Sequence, residues 1–336
     1  MKEENFALSV LTRLIMSLKQ LYLAKYRFTL RARETLILPA YKGSTLRGGF
    51  GSVFHKLICV NKNKDCSNCL LRDKCIYSYI FETSPPPDSP RLSKYRSIPR
   101  PFILEPPLEE KRKYEKGDVL SFNLILIGKA IDYLPYFIFA FQELGEIGLG
   151  KEKARYELVK VEFVKESLKD PPETKTIYDG QTQTLKDINA RIDLSYIFSS
   201  LKLFGDSLTL RFLTPTRIKY QGSYTSHPQF HIVLRSLLRR LSSLLYFHCG
   251  EELDVDYKEM IKEAQRIRTL EAEVDWIDWE RYSGRQEQKM KLGGFIGRVT
   301  YQGNITKFLP FLRIGEYTHL GKAVVFGLGK YEIERN

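Results

Sequence analysis

No run of about 18 apolar residues occurs in this 336-residue chain, which argues against a membrane-spanning helix. Residues 6–22 come nearest, but Arg13 and Lys19 interrupt them, and Leu11, Leu14, Ile15, Leu18 and Leu21 recur at helical spacing. The stretch reads as an amphipathic N-terminal helix within residues 1–26, not a signal peptide, and its polar face is too weakly basic for a membrane anchor. No membrane partner is expected, and a reducing cytoplasm is the expected location. Cysteine is scarce, at five residues. In that compartment such residues serve metal binding or packing before disulfides. Histidine is equally scarce, so imidazole chemistry falls to His55, His227, His231, His248 and His319. Acidic residues are outnumbered, 40 against 53 Lys plus Arg, and the net charge of +13 favours a polyanionic partner, nucleic acid or an acidic membrane surface. A 43% hydrophobic and 28% charged composition excludes wholesale disorder.

The length predicts two domains. In the first half the pattern predicts a strand over 27–39 and a helix over 44–59 with Leu46, Phe50, Val53, Phe54 and Leu57 on its apolar face. A short strand over 76–82, strands over 118–127 and 156–164, and a helix over 134–144 follow. A polar stretch, 166–190, with Pro171 and Pro172, reads as a linker between domains 27–165 and 191–336. The second half predicts strands over 207–220, 274–282, 294–301 and 329–334, and helices over 231–247 and 308–317. Trp276 and Trp279 read as core on one strand face.

The two halves also match in residues. Tyr133-Leu-Pro-Tyr-Phe parallels Phe308-Leu-Pro-Phe-Leu, and Gly148-Leu-Gly-Lys151 parallels Gly327-Leu-Gly-Lys330 ahead of each closing strand. A period this long means a duplicated domain. The order βαββαβ in each half predicts an α+β chain of two tandem ferredoxin-like domains whose sheets leave a cleft between them.

Four stretches carry a resemblance to a known family: Tyr41-Lys-Gly-Ser-Thr-Leu-Arg-Gly-Gly-Phe-Gly51; 66–82 with Tyr77-Ser-Tyr-Ile-Phe-Glu82; Asp278-Trp-Glu-Arg-Tyr282 leading to Met290-Lys-Leu-Gly-Gly-Phe295; and Gly315-Glu316 through His319-Leu-Gly-Lys322 to Phe326-Gly-Leu-Gly-Lys330. With the basic charge they resemble the RAMP superfamily, and within it the CRISPR-associated endoribonucleases that process precursor CRISPR RNA. The resemblance implies cutting within CRISPR repeat RNA with no metal for catalysis. The 2′-hydroxyl attacks the scissile phosphate and leaves a 2′,3′-cyclic phosphate and a 5′-hydroxyl. It also leaves open a place in a CRISPR effector complex, including that of a non-catalytic subunit binding guide RNA.

Such chemistry needs a proton acceptor and a proton donor, roles that imidazole fills near neutral pH, and a cation beside the phosphorane. His55 falls opposite the apolar stripe of its helix, among Ser44, Gly48, Gly51 and Ser52, whose small size would admit an RNA backbone; a solvated surface histidine is the equal alternative. The resemblance adds Tyr41 as a catalytic accessory, with Lys42 and Arg47 as RNA-binding residues of the same motif. His319 is the second catalytic candidate, against the alternative that it caps the preceding helix. The loop around Lys322, Gly327, Gly329 and Lys330 is expected to meet RNA backbone, or else simply to turn into the closing strand. His231, Arg235 and Arg239 follow at i, i+4 and i+8, so they share a helix face, and Arg217 and Lys219 precede that helix. The face binds a polyanion or is merely solvated.

Cys59, Cys66, Cys69 and Cys75 have the spacing C-x6-C-x2-C-x5-C. Four thiolates so spaced predict a metal-binding insert over 59–75 that holds structural zinc, or alternatively an iron–sulfur cluster. Four thiolate ligands leave no open position for catalysis. A cysteine-cluster protein that binds DNA is a further alternative, but it leaves the duplicated halves unexplained.

Overall fold

The computed structural model describes residues 15–60, 66, 68–86, 89–92, 95, 97–165, 172–186, 190–199, 206–278, 280–283 and 288–334. They fall into two compact units. The first is Tyr22–Ile192 with Phe247–Cys249; the second is Asp193–Tyr246 with Gly250–Asn336 and the described residues before Tyr22. No helix among the described residues is long and apolar enough to cross a membrane.

In the first unit, β1 (Leu23–Ala32) is buried along most of its length because strands cover both of its edges. It pairs antiparallel with β3 (Val119–Ile127), setting Phe28 opposite Phe122, and with β4 (Tyr156–Val164). With β2 (Phe102–Glu105) and β5 (Thr174–Asp179), the order across the sheet is β2-β3-β1-β4-β5, followed by the short strand Thr184–Leu185. The helices α1 (Gly43–Ile58) and α3 (Leu134–Ile147) bury their apolar stripes together. Phe50 of α1 stacks on Phe137 and Phe141 of α3 at 4.8 and 5.1 Å between centroids. Their approach is close: a Cβ added at Gly49 would lie 3.0 Å from the Leu144 side chain. Of the expected α1 stripe, Leu46, Phe50, Val53 and Phe54 are buried, while Leu57 is 38% exposed.

Three expectations need correction here. Residues expected to form a strand over 76–82 form the helix α2 (Ile76–Phe81). Tyr77 and Phe81, one helical turn apart, stack at 5.1 Å and both meet Phe54, a contact that an alternating strand would split across two faces. The second strand of the fold is β2, buried at every position. The expected linker 166–190 carries β5, which extends the first sheet, and residues 166–171 and 187–189 of it lie outside the described residues. The expected N-terminal helix is helical over 15–19 and gives way to β1 at Leu23; Leu18 and Leu21 are buried, while Leu11 and Leu14 lie outside the described residues.

The second unit repeats the plan. Strands β6 (Ser207–Thr216), β9 (Arg268–Ile277), β10 (Gly294–Gln302) and β11 (Tyr331–Glu334) form a sheet in the order β9-β10-β6-β11, equivalent to β2-β3-β1-β4. Between β6 and β9 lie the small hairpin β7 (Lys219–Tyr220) and β8 (Ser223–Tyr224) and the helices α4 (Phe230–Leu244) and α5 (Tyr257–Ala264). Helix α6 (Leu309–Thr318) precedes β11. Both units thus have the βαββαβ succession expected from the sequence. The paired Leu-Pro motifs place proline in the first turn of α3 and of α6, where its missing N–H costs nothing. β9 is exposed along its length, so Trp276, expected in the core, is 41% exposed and donates from Nε1 to Asp278 at 3.0 Å. Trp279 lies outside the described residues.

The end of α4 continues as a wider helical turn, Leu245–Cys249, whose last three residues count with the first unit. There His248 is buried. Its Nε2–H donates to the Pro99 carbonyl at 2.7 Å, and its Nδ1 accepts from the Tyr79 hydroxyl at 3.1 Å.

Candidate nucleic-acid interface

Helix α4 buries Leu234, Leu237, Leu238 and Leu241, which turns its opposite face outward. Arg235 and Arg239 are exposed there and His231 is half-buried, as the spacing predicts. Partial burial, then the Arg235 charge, holds the His231 imidazole below its ordinary 6.5, so it is neutral at pH 7. Lys322 joins this face from the loop after α6. Partial desolvation first, then the Arg239 and Lys219 charges, pull its ammonium below the usual lysine range. The loop is pinned by its backbone: Lys322 N–H donates to the Arg217 carbonyl at 2.9 Å, and Gly321 holds φ +85° so close that a Cβ would lie 2.4 Å from that oxygen. The Arg217 guanidinium lies over the Tyr224 ring, 4.5 Å from its centroid. Tyr220 meets His231 edge to face at 5.8 Å. The structure therefore brings together Arg217, Lys219, His231, Arg235, Arg239 and Lys322, with two tyrosines that the sequence reading passed over. Their signal was the Gln221-Gly222 pair, a turn just past the end of the strand expected over 207–220.

The glycine loop itself turns inward. Gly327 and Gly329 are buried and adopt φ +83° and +72°. The Gly327 carbonyl accepts from the Thr214 hydroxyl at 2.9 Å, and a Cβ at Gly329 would strike the Leu320 carbonyl. These glycines serve close backbone packing against β6, not access for RNA. Lys330 is half-buried, and its backbone N–H donates to Thr214 Oγ1 at 2.9 Å. His319, expected to be catalytic, is fully buried. It caps α6 with its N–H to the Gly315 carbonyl at 2.8 Å, and its Nδ1–H donates to the Leu328 carbonyl at 3.1 Å. A ring so placed braces the loop and has no route to a phosphate. Arg240, one residue past the exposed Arg239, points into the protein and caps the same helix end, its Nε–H donating to the Thr318 carbonyl at 2.7 Å.

In the first unit, His55 is half-buried on α1 and lies edge-on to Tyr77, 4.4 Å between centroids. Gly48 and Ser52, at i−7 and i−3 from it, are exposed, and the space around Gly48 is open. Gly51 differs: a Cβ there would sit 3.0 Å from Phe81, so it serves the packing of α2. Arg47 lies over the Phe81 ring at 4.9 Å. Lys42, expected to bind RNA, is fully buried. Its Nζ donates to the carbonyls of Ala40 and Glu109 at 3.1 and 2.8 Å, so it ties the loop to α1 instead. Tyr41 is half-buried, and desolvation, then the buried Glu105 charge, holds its phenol far above its ordinary 10. It precedes the start of α1, whereas His55 lies near the other end. At 1.5 Å per residue the helix alone separates them by about 18 Å, too far to share one phosphate.

All four insert cysteines are half-buried and carry no disulfide. Cys59 ends α1 and Cys75 opens α2. Among the described residues no group of three or more His, Cys, Asp or Glu is arranged to hold a metal, and residues 61–65 and 67 of the insert lie outside them. Cys249 is half-buried.

Comparison with known proteins agrees with this division of the chain. Residues 19–190 match the AF_1859_N family model, described as an N-terminal domain, and residues 210–331 match the model for CRISPR-associated endoribonuclease Cas6. An uncharacterized protein of Archaeoglobus fulgidus is 28% identical over 302 residues, 88% of this chain and 92% of that protein. A CRISPR-associated endoribonuclease Cas6 of Streptococcus thermophilus is 25% identical over 128 residues, 37% of this chain and 49% of its own length. The solved Cas6 (TTHB231) product complex shares the fold, with a TM-score of 0.53 at 15% identity, covering 93% of this chain and 99% of that one.

Proposed function

We propose that this chain, which belongs to the AF_1859_N family through residues 19–190 and matches the CRISPR-associated endoribonuclease Cas6 model over residues 210–331, cuts precursor CRISPR RNA within its repeats by metal-independent transesterification. The 2′-hydroxyl attacks the adjacent phosphorus and loses its proton to a base. The 5′ oxygen leaves with a proton from an acid, so the products are a 2′,3′-cyclic phosphate and a 5′-hydroxyl and no water is consumed. His55 is the imidazole suited to one of these transfers, with Tyr77 orienting its ring and the open surface at Gly48 and Ser52 receiving the backbone. Arg217, Lys219, Arg235, Arg239 and Lys322 hold phosphates. Cys59, Cys66, Cys69 and Cys75 hold a structural zinc, or in the alternative an iron–sulfur cluster, and supply nothing to the reaction.

The observation that carries this reading is the cationic face of the Cas6-matched unit. The charges that perturb Lys322 and His231 are all positive, namely Arg239, Lys219 and Arg235. Gathering like charges costs folding energy and is repaid by a polyanion. The test is purified protein with end-labelled repeat RNA in excess EDTA and mapped product ends. A single cut with a cyclic phosphate is the expected result; uncut, unbound RNA refutes the reading. Burial of His319 and the remoteness of Tyr41 favour one second reading, a non-catalytic RAMP subunit that binds guide RNA. Intact, tightly bound RNA in the same assay would select it.

A further inference from the structure

We propose that Tyr224 makes the cationic face of the second unit a reader of unpaired nucleotides, stacking one base while Lys219, Arg239 and Lys322 hold the phosphates beside it. This rests on the RNA-binding reading above and specifies the form of RNA that the face accepts. Three observations carry it.

The hairpin is built to project. Gln221 and Gly222 both adopt positive φ, 46° and 91°, the turn that a two-residue hairpin requires, and nothing lies within 4 Å of a Cβ added at Gly222. Tyr224, at the hairpin's returning strand, is 44% exposed. An exposed ring on a projecting hairpin offers the π surface that a base needs.

The ring is held in place from behind. The Arg217 guanidinium covers one face at 4.5 Å from the centroid, so a base would stack on the other. Arg217 also keeps a donor in reserve: its Nε is buried with no hydrogen-bond partner among the described residues. A buried N–H without an acceptor is costly, and a phosphate or base oxygen against the hairpin would satisfy it.

The surrounding charge matches a backbone that runs past the ring. Lys219 stands on the outgoing strand of the same hairpin, and Lys322 is pinned through its backbone to the Arg217 carbonyl. Arg239 and Lys219 are the charges that Lys322 feels. A ring flanked by cations suits a single strand whose bases are free to turn outward. In an A-form duplex the bases are already stacked on each other and offer no face.

The full chain is titrated with an oligouridine twelve-mer carrying one central 2-aminopurine, and with an RNA duplex of equal length. In the wild type, stacking on Tyr224 quenches the 2-aminopurine and the single strand binds more tightly than the duplex. Tyr224→Ala should weaken single-strand binding about 5- to 150-fold, the range equivalent to one stacked base, and abolish the quench while duplex binding stays unchanged. Tyr224→Phe should keep both affinity and quench. Unchanged single-strand affinity in Tyr224→Ala, or equal losses on single strand and duplex, would overturn the proposal. Cutting of repeat RNA is scored separately. A wild type that quenches the probe but does not cut refutes the nuclease reading alone; one that cuts while Tyr224→Ala binds normally refutes this inference alone.

Discussion

His319→Ala and His319→Gly should differ in stability, with glycine the more stable variant. His319 stands at φ 57° and ψ 176°, a backbone region nearly reserved for glycine, where a side chain costs about 1–3 kcal/mol. Its buried ring offsets that strain by packing and by the bond to the Leu328 carbonyl. Alanine keeps the strain, loses the packing and leaves that carbonyl without its donor, a loss of about 2–4 kcal/mol in all. Glycine loses the same ring but relieves the strain, less about 0.5–1 kcal/mol for its greater freedom in the unfolded chain. The net gap is about 0.5–2 kcal/mol in favour of glycine. Urea unfolding measures it, followed by tryptophan fluorescence, because both tryptophans, Trp276 and Trp279, belong to the second unit. With an m-value of about 2 kcal/mol/M, the midpoints should separate by roughly 0.3–1 M. An alanine variant as stable as the glycine variant would refute the strain argument. An alanine variant with wild-type stability and slow cutting would refute the bracing role and restore His319 as a catalytic group.

His55→Ala should bind repeat RNA with wild-type affinity and cut it about 10²- to 10⁴-fold more slowly, the usual worth of a general acid or base; full cutting by this variant excludes His55. Lys322→Gln should lower the slope of log affinity against log salt by about 0.7, one phosphate contact on a single strand, and an unchanged slope removes Lys322 from the interface. The His231 pKa is depressed in the free protein, and a bound phosphate would raise it. Binding should therefore take up a proton, so affinity rises as pH falls toward the depressed value of the free imidazole and levels off below it; His231→Gln should flatten the profile. Zinc should co-purify at one ion per chain and be lost in Cys66→Ser; visible charge-transfer absorption with iron in place of zinc would select the cluster.

Periodicity made the large helices legible. The four buried residues from Leu46 to Phe54 locate α1 to within one residue at either end. The same logic failed where an element shows no alternation. β2 is buried on both faces and bounded by Pro101 and Pro106, and β9 is exposed on both, so neither carries a period-two pattern. Helix α2 is too short, at six residues, to show a helical period. For the site, spacing along one helix placed Arg235 and Arg239 correctly, but nothing in a sequence marks Lys42 as buried or Lys322 as the neighbour of Arg239. Those facts depend on which carbonyls and charges the fold brings near, as do the inward turn of His319 and the separation of Tyr41 from His55.

The placement of Phe247–Cys249 with the first unit bears on how this protein can be taken apart. The two units are not consecutive lengths of gene. A fragment that stops at Ile192 lacks His248, and the Tyr79 hydroxyl and Pro99 carbonyl lose the partner that each has in the whole chain. The complementary fragment carries that imidazole but lacks the residues of the first unit that bury it, and it also lacks Ser17, which donates to the Glu252 carbonyl at 3.0 Å. Exchanging halves between relatives at the apparent midpoint would therefore graft three residues of one protein into the wrong core. Chimaeras that preserve this fold need their junctions on both sides of that short segment.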